Sequence, residues 1–164
     1  MQKMKKILVP VDFSEASASR LKYATALARE MSAEVFVLYV LDRSERNRFL
    51  ETLAVFEGWP VPPKRPVPVD ICLREKSLDL YYFIQTVIPN PGTLQINKRV
   101  RLGSLVKEIL AIAKKETIDV IVAEAPKNRV FSYLFPRRAV MWFLCKMPYP
   151  VLLTPVRPTA SSTP

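Results

Sequence analysis

Histidine is missing from this chain, and its charged residues are unevenly placed. Without imidazole there is no ordinary general base near neutral pH, no Ser-His-Asp relay and no zinc site of mixed nitrogen and sulfur ligands. Ser14 and Ser104 each stand just before a helical pattern with no activating base at a recognisable spacing, so they read as helix caps and not as nucleophiles. Cys72 and Cys145 share no motif spacing and sit among apolar or mixed neighbours, which suits free thiols in a reducing compartment. Neither catalytic residues nor metal ligands are expected. What remains is charge: 25 Lys and Arg against 15 Asp and Glu give a net charge of +10. Beyond Glu124 there is no acidic residue, while Lys127, Arg129, Arg137, Arg138, Lys146 and Arg157 follow. That stretch is a candidate anion-facing surface. For nucleic acid it implies non-specific phosphate attraction only, since no helix-turn-helix, zinc or RNA-binding signature accompanies it.

The elements that must position these residues alternate. Lys5 to Asp12 is a short apolar run without alternation, as expected of a strand buried on both faces of a parallel sheet. Ser14 then caps a helix over 14–31 with Leu21, Ala24, Ala28 and Met31 on its inner face. Glu34 to Val40 is a second buried strand. Between 43 and 92 the pattern is less regular: Phe49, Leu50, Leu53 and Ala54 form a helical stripe that Gly58 can close. Pro60, Pro62, Pro63, Pro66 and Pro68 then make a rigid connector, with an irregular insertion over about 57–76. Ser77 is expected to cap a helix over Leu78 to Ile88. Thr93 to Val100 reads as a strand, followed by a helix capped by Ser104 with Leu105, Ile109, Ile112 and Ala113 inward. Ile118 to Ala123 is a further buried strand, Pro136 opens a last helix, and Val151 to Leu153 closes the sheet. The aromatic run Phe131 to Phe135 reads as core and dimer contact.

One domain over 1–157 is expected, large enough for its own core, with 158–164 as a disordered polar tail. The apolar run Ile7 to Val11 is too short for the core of a signal peptide. Leu78 to Ile88 and Val140 to Leu144 fall below the roughly 20 residues of a membrane span. A cytoplasmic location without membrane contact is the expectation.

Three pieces in order, Lys6-Ile7-Leu8-Val9-Pro10-Val11-Asp12-Phe13-Ser14, then Val100-Arg101-Leu102-Gly103 with Ile118-Asp119-Val120-Ile121-Val122, then Pro148-Tyr149-Pro150-Val151-Leu152-Leu153, resemble the universal stress protein family. The resemblance implies a doubly wound, Rossmann-like α/β domain of the adenine nucleotide alpha hydrolase-like kind. Its five-stranded parallel sheet would have the order 3-2-1-4-5. It also implies a homodimer through the last strand, here the edge formed by Val151, Leu152, Leu153 and Val156, which needs a cover in any case. In such sheets ligands bind beyond the carboxyl ends of the strands where the order reverses. That crevice lies between the ends of the first strand, Pro10 to Ser14, and of the fourth, Ala123 to Lys127.

Nucleotide-binding members of the family carry G-x-x-G-x9-G-[ST] after the fourth strand and an aspartate at the end of the first. Asp12 matches that aspartate and Val40 the apolar residue after the second strand. The three glycine positions fall on Glu124, Lys127 and Arg137, and the hydroxyl position on Arg138. Side chains there fill the space through which backbone amides approach phosphate, so ATP is not expected as a cofactor. Two readings of the crevice stand. In one, Lys127, Arg129, Arg137 and Arg138 bind a small anion or nucleotide through side chains. In the other they pair with Asp12 and Glu124 in a self-satisfied ion cluster. The function expected is a non-enzymatic, homodimeric stress-response binding or regulatory module. A nucleotide- or anion-binding protein and an adaptor docking through the proline segment are the alternatives.

Overall fold

The computed structural model describes residues 4–56, 69–124 and 147–154. Five strands form one parallel sheet in the order β3-β2-β1-β4-β5, as expected from the sequence. They are β1 (Lys6–Val11), β2 (Glu34–Leu41), β3 (Ile96–Leu102), β4 (Val120–Glu124) and β5 (Val151–Thr154), interleaved with α1 (Glu15–Met31), α2 (Arg43–Phe56), α3 (Val69–Val87) and α4 (Leu105–Lys115). The continuous apolar runs of β1 and β2 follow from burial on both faces, because successive side chains leave opposite sides of a strand. Ile7, Val9, Val11, Val35, Val37, Tyr39 and Leu41 face Leu21, Ala24 and Ala28 of α1 and Leu80, Ile84 and Val87 of α3. Leu8, Phe36, Leu38 and Ile121 face Ile109, Ile112 and Ala113 of α4.

α1 begins where expected. Ser14 accepts a hydrogen bond from the Ser17 amide at 3.1 Å, satisfying one of the free donors of the first turn. Ser104 also holds the N-cap position of α4, but its hydroxyl makes no capping bond. Two helices start earlier than the sequence pattern suggests. α2 begins at Arg43 because Asp42 caps it, its Oδ1 accepting from the Glu45 amide and the Ser44 hydroxyl, both at 2.7 Å. These bonds hold the Asp42 carboxyl below its ordinary value. α3 begins at Val69, so 69–76 is helical and not part of an irregular insertion, and Ser77 lies inside the helix and caps nothing. The buried face of α3 already includes Cys72, a full two turns before Leu80. The proline segment, the helix expected after Pro136 and the run Phe131 to Phe135 lie outside the described residues.

One carboxylate joins the first and fourth strands. Asp119 Oδ2 accepts from the backbone amides of Lys5 at 2.8 Å and Lys6 at 2.9 Å. The Asp119 amide in turn donates to the Lys6 carbonyl at 3.0 Å. This sets the register of β1 on β4, so that their carboxyl ends emerge side by side.

Candidate functional site

The β1–β2 ladder runs from Lys6–Glu34 to Val11–Tyr39, whereas the β1–β4 ladder consists of Ile7–Val120 and Leu8–Ile121. Pro10, which has no N–H to donate, stands in the stretch where pairing with β4 has ended. Beyond it the two strands are joined by side chains. At the reversal point of the sheet order, the position at which ligands bind in this architecture, Asp12 directly follows β1 and Glu124 ends β4.

The two carboxylates are brought together through Arg20 of α1. Arg20 Nη1 lies 3.5 Å from Glu124 Oε2, with side-chain exposures of 10% and 13%. Arg20 Nη2 donates to Ser17 Oγ at 2.8 Å. Ser17 Oγ donates to Asp12 Oδ1 and accepts from the Asp12 amide at 3.0 Å, so one hydroxyl uses its single donor and both lone pairs. Asp12 Oδ1 also accepts from the Ser14 amide at 3.1 Å and the Ser14 hydroxyl at 2.6 Å. Burial pushes the Asp12 carboxyl up, but the hydrogen bonds from Ser14 and Ser17 and the charge of Arg20 outweigh it. The group therefore sits below its ordinary value and is ionised at neutral pH. Burial draws Arg20 down from its ordinary value, opposed by the charges of Glu124 and Asp12.

The turn between β1 and α1 is held by aromatic packing. Phe13 has φ of 64°, in the left-handed region, which costs a side-chain-bearing residue roughly 1–2 kcal/mol. Its ring stacks on Tyr39 at 4.4 Å and meets Phe83 edge-on at 5.4 Å. Tyr39 donates to Glu45, and burial together with that bond pushes its phenol far above the ordinary range. Lys76 completes the cluster, 3.5 Å from Glu45 Oε1 and 3.3 Å from Asp79 Oδ2, over the rings of Phe13 and Tyr39. The loop carrying Asp12 and Ser14 is thus anchored from both sides.

Of the residues singled out in the sequence, Asp12 and Glu124 join one network, while Pro10 is half-buried in the adjoining strand. Val40 lies within β2, paired with Arg101 of β3, and not after the strand as expected; it is half-buried and packs against the core on the α4 side. Lys127, Arg129, Arg137 and Arg138 lie outside the described residues. The cation that pairs with Glu124 within the described residues is Arg20, which the sequence reading did not select. Its signal was present: residue 20 falls on the inner stripe of α1, with Ser17, Leu21, Ala24 and Ala28, where a charged residue needs a partner. At the proposed dimer edge, Val151 and Leu152 are half-buried and Leu153 is 41% exposed, while Val156 is outside the described residues. Two surface grooves, of about 380 Å³ beside Tyr23 and Arg29 and about 270 Å³ beside Tyr81 and Ile96, lie away from the ion network.

Residues 3–54 match the model of the universal stress protein family. The chain is 28% identical over 118 residues to universal stress protein MJ0531 of Methanocaldococcus jannaschii, a match spanning 72% of this chain and 62% of the relative's length. Among solved structures, hypothetical protein MJ0577 superposes with a TM-score of 0.65 at 24% identity, covering 96% of this chain and 100% of the other. A universal stress protein from Archaeoglobus fulgidus, solved in complex with dAMP, superposes with a TM-score of 0.56 at 17% identity, covering 93% and 98%. The resemblance read from the sequence motifs therefore holds both in sequence and in fold.

Proposed function

We propose that this chain, similar in sequence and fold to the universal stress proteins, is a non-enzymatic binding or regulatory module of the stress-response type. In this reading its crevice does not take ATP in the manner of the family's glycine-rich loop. The observation that carries the reading is Glu124. At the end of β4, where nucleotide-binding relatives have their first phosphate-loop glycine, it carries a negative charge and is engaged with a cation from inside the fold. A phosphate entering there meets like charge and a side chain in place of an open amide. In this reading the chain works in the cytoplasm as a homodimer through β5, whose exposed Leu153 is suited to burial against a second copy.

The dAMP complex of the Archaeoglobus fulgidus protein supports a second reading, in which the crevice holds a nucleotide or other anion through the basic side chains beyond Glu124. Calorimetric titration with ATP, with and without magnesium, separates the two. Weak, salt-sensitive binding in the millimolar range is expected. Saturable micromolar binding abolished by Asp12→Ala would establish the second reading and overturn the first. Light scattering at high concentration checks the dimer, which a persistently monomeric chain contradicts.

A further inference from the structure

We infer that the Glu124–Arg20 pair sets the charge selectivity of the crevice between β1 and β4, turning it against phosphate and toward ligands that are uncharged at that end. The inference rests on the reading of this crevice as the ligand site. Asp12 and Glu124 supply two negative charges and Arg20 one positive charge, so the network these three form carries one net negative charge. Asp12 Oδ1 is saturated with three donors. Oδ2 has no partner among the described residues, and the residue is exposed. The described part of the crevice therefore carries an excess of negative charge and one carboxylate oxygen free to accept, a combination that suits hydroxyl and amide donors and repels anions.

Arg20 is the cation of this network within the described residues, and Glu124 holds it. The guanidinium is nine-tenths buried, with Nη1 directed to Glu124, Nη2 to Ser17, and Nε buried without a hydrogen-bond partner among the described residues. A buried guanidinium with an unused donor forms charge-assisted bonds with a phosphate when its carboxylate partner is neutralised. Glu124 thus acts twice, by its own charge and by occupying the guanidinium. Selectivity built by leaving a competitor's charge unpaired is a general device of recognition.

The test uses a ligand pair differing only in the phosphate, 2′-deoxyadenosine and dAMP, titrated calorimetrically into the full chain at one physiological ionic strength. The wild-type chain is expected to bind dAMP no more tightly than the nucleoside. Glu124→Gln, which keeps the side-chain shape and an acceptor for Arg20, is expected to tighten dAMP at least tenfold and to leave the nucleoside within threefold. Adding Arg20→Gln to that variant is expected to remove the gain. Glu124→Ser serves the same purpose should the glutamine variant fail to fold by circular dichroism. An unchanged dAMP affinity in the Glu124 variants overturns the inference. So does a gain that survives the loss of Arg20, which places the effect on the basic residues beyond Glu124. Micromolar ATP binding by the wild-type chain instead overturns the functional reading itself, a separate outcome.

Discussion

Replacing Arg20 by methionine keeps the aliphatic stem of the side chain and removes the guanidinium, leaving the carboxylate of Glu124 in a site where it is 13% exposed. It also takes one of the donors from Ser17 Oγ. Breaking a buried pair by removing one partner costs about 3–5 kcal/mol. The N–O separation of 3.5 Å is long for a charge-assisted hydrogen bond, so the lower end, about 3 kcal/mol, applies. For a chain of this size each kcal/mol lowers Tm by about 2–4 °C, giving a fall of about 6–12 °C. Urea denaturation followed by circular dichroism measures the first figure and a thermal scan the second. The double variant Arg20→Met, Glu124→Met removes both charges and is expected to recover most of the loss, because an apolar replacement of a buried pair is close to neutral. A loss below about 1 kcal/mol in the single variant, the value of an exposed pair, refutes the burial argument. Additivity of the two substitutions within about 0.5 kcal/mol refutes the pairing.

Asp119→Ala removes the acceptor of the Lys5 and Lys6 amides and is expected to cost about 2 kcal/mol in urea denaturation, since hydrogen bonds to a charged group are worth about 1.5–3 kcal/mol; a change near zero contradicts the role of this carboxylate in joining β1 to β4. Asp42→Ala deletes the cap of α2 and is expected to cost about 1 kcal/mol, with Asp42→Asn losing much less. The Asp12 carboxyl is lower in the folded chain than its ordinary value of 3.8, so its contribution to stability is complete above that value and is lost as pH falls through the lower folded one. Asp12→Asn is therefore expected to flatten the acid limb of stability below pH 3.8, and parallel wild-type and variant curves there contradict the network around Asp12.

The strands were legible in the sequence because burial on both faces leaves unbroken apolar runs such as Ile7-Leu8-Val9 and Val35 to Leu38. Their order followed from a family resemblance, since apolar runs do not by themselves say which neighbours pair. The starts of α2 and α3 were harder to read. In α2 the apolar stripe begins at Phe49, after a polar first turn set by the Asp42 cap. In α3 the Ser77 that resembled a cap faces a helix already under way from Val69. At the site, Asp12 and Glu124 are legible because they stand at the carboxyl ends of strands that the topology makes neighbours. Arg20 is hard to read because the conspicuous cations are those of the basic stretch beyond Glu124, while the cation engaged within the described residues sits on the inner face of α1, early in the chain. The left-handed Phe13 leaves no sequence signature of its own. Its conformation is held by Tyr39 and Phe83, which only the fold brings together.

The most direct measurement is the nitrogen–proton resonance of the Arg20 Nε group, followed by heteronuclear NMR while ATP with magnesium is added at physiological salt. A guanidinium held by Glu124 and Ser17 inside the fold gives a slowly exchanging signal, absent from Arg20→Met, that does not move as ATP is raised to millimolar concentration. A signal that shifts and saturates at micromolar ATP means that the guanidinium has been handed to phosphate, and contradicts a crevice in which Glu124 keeps Arg20 from phosphate.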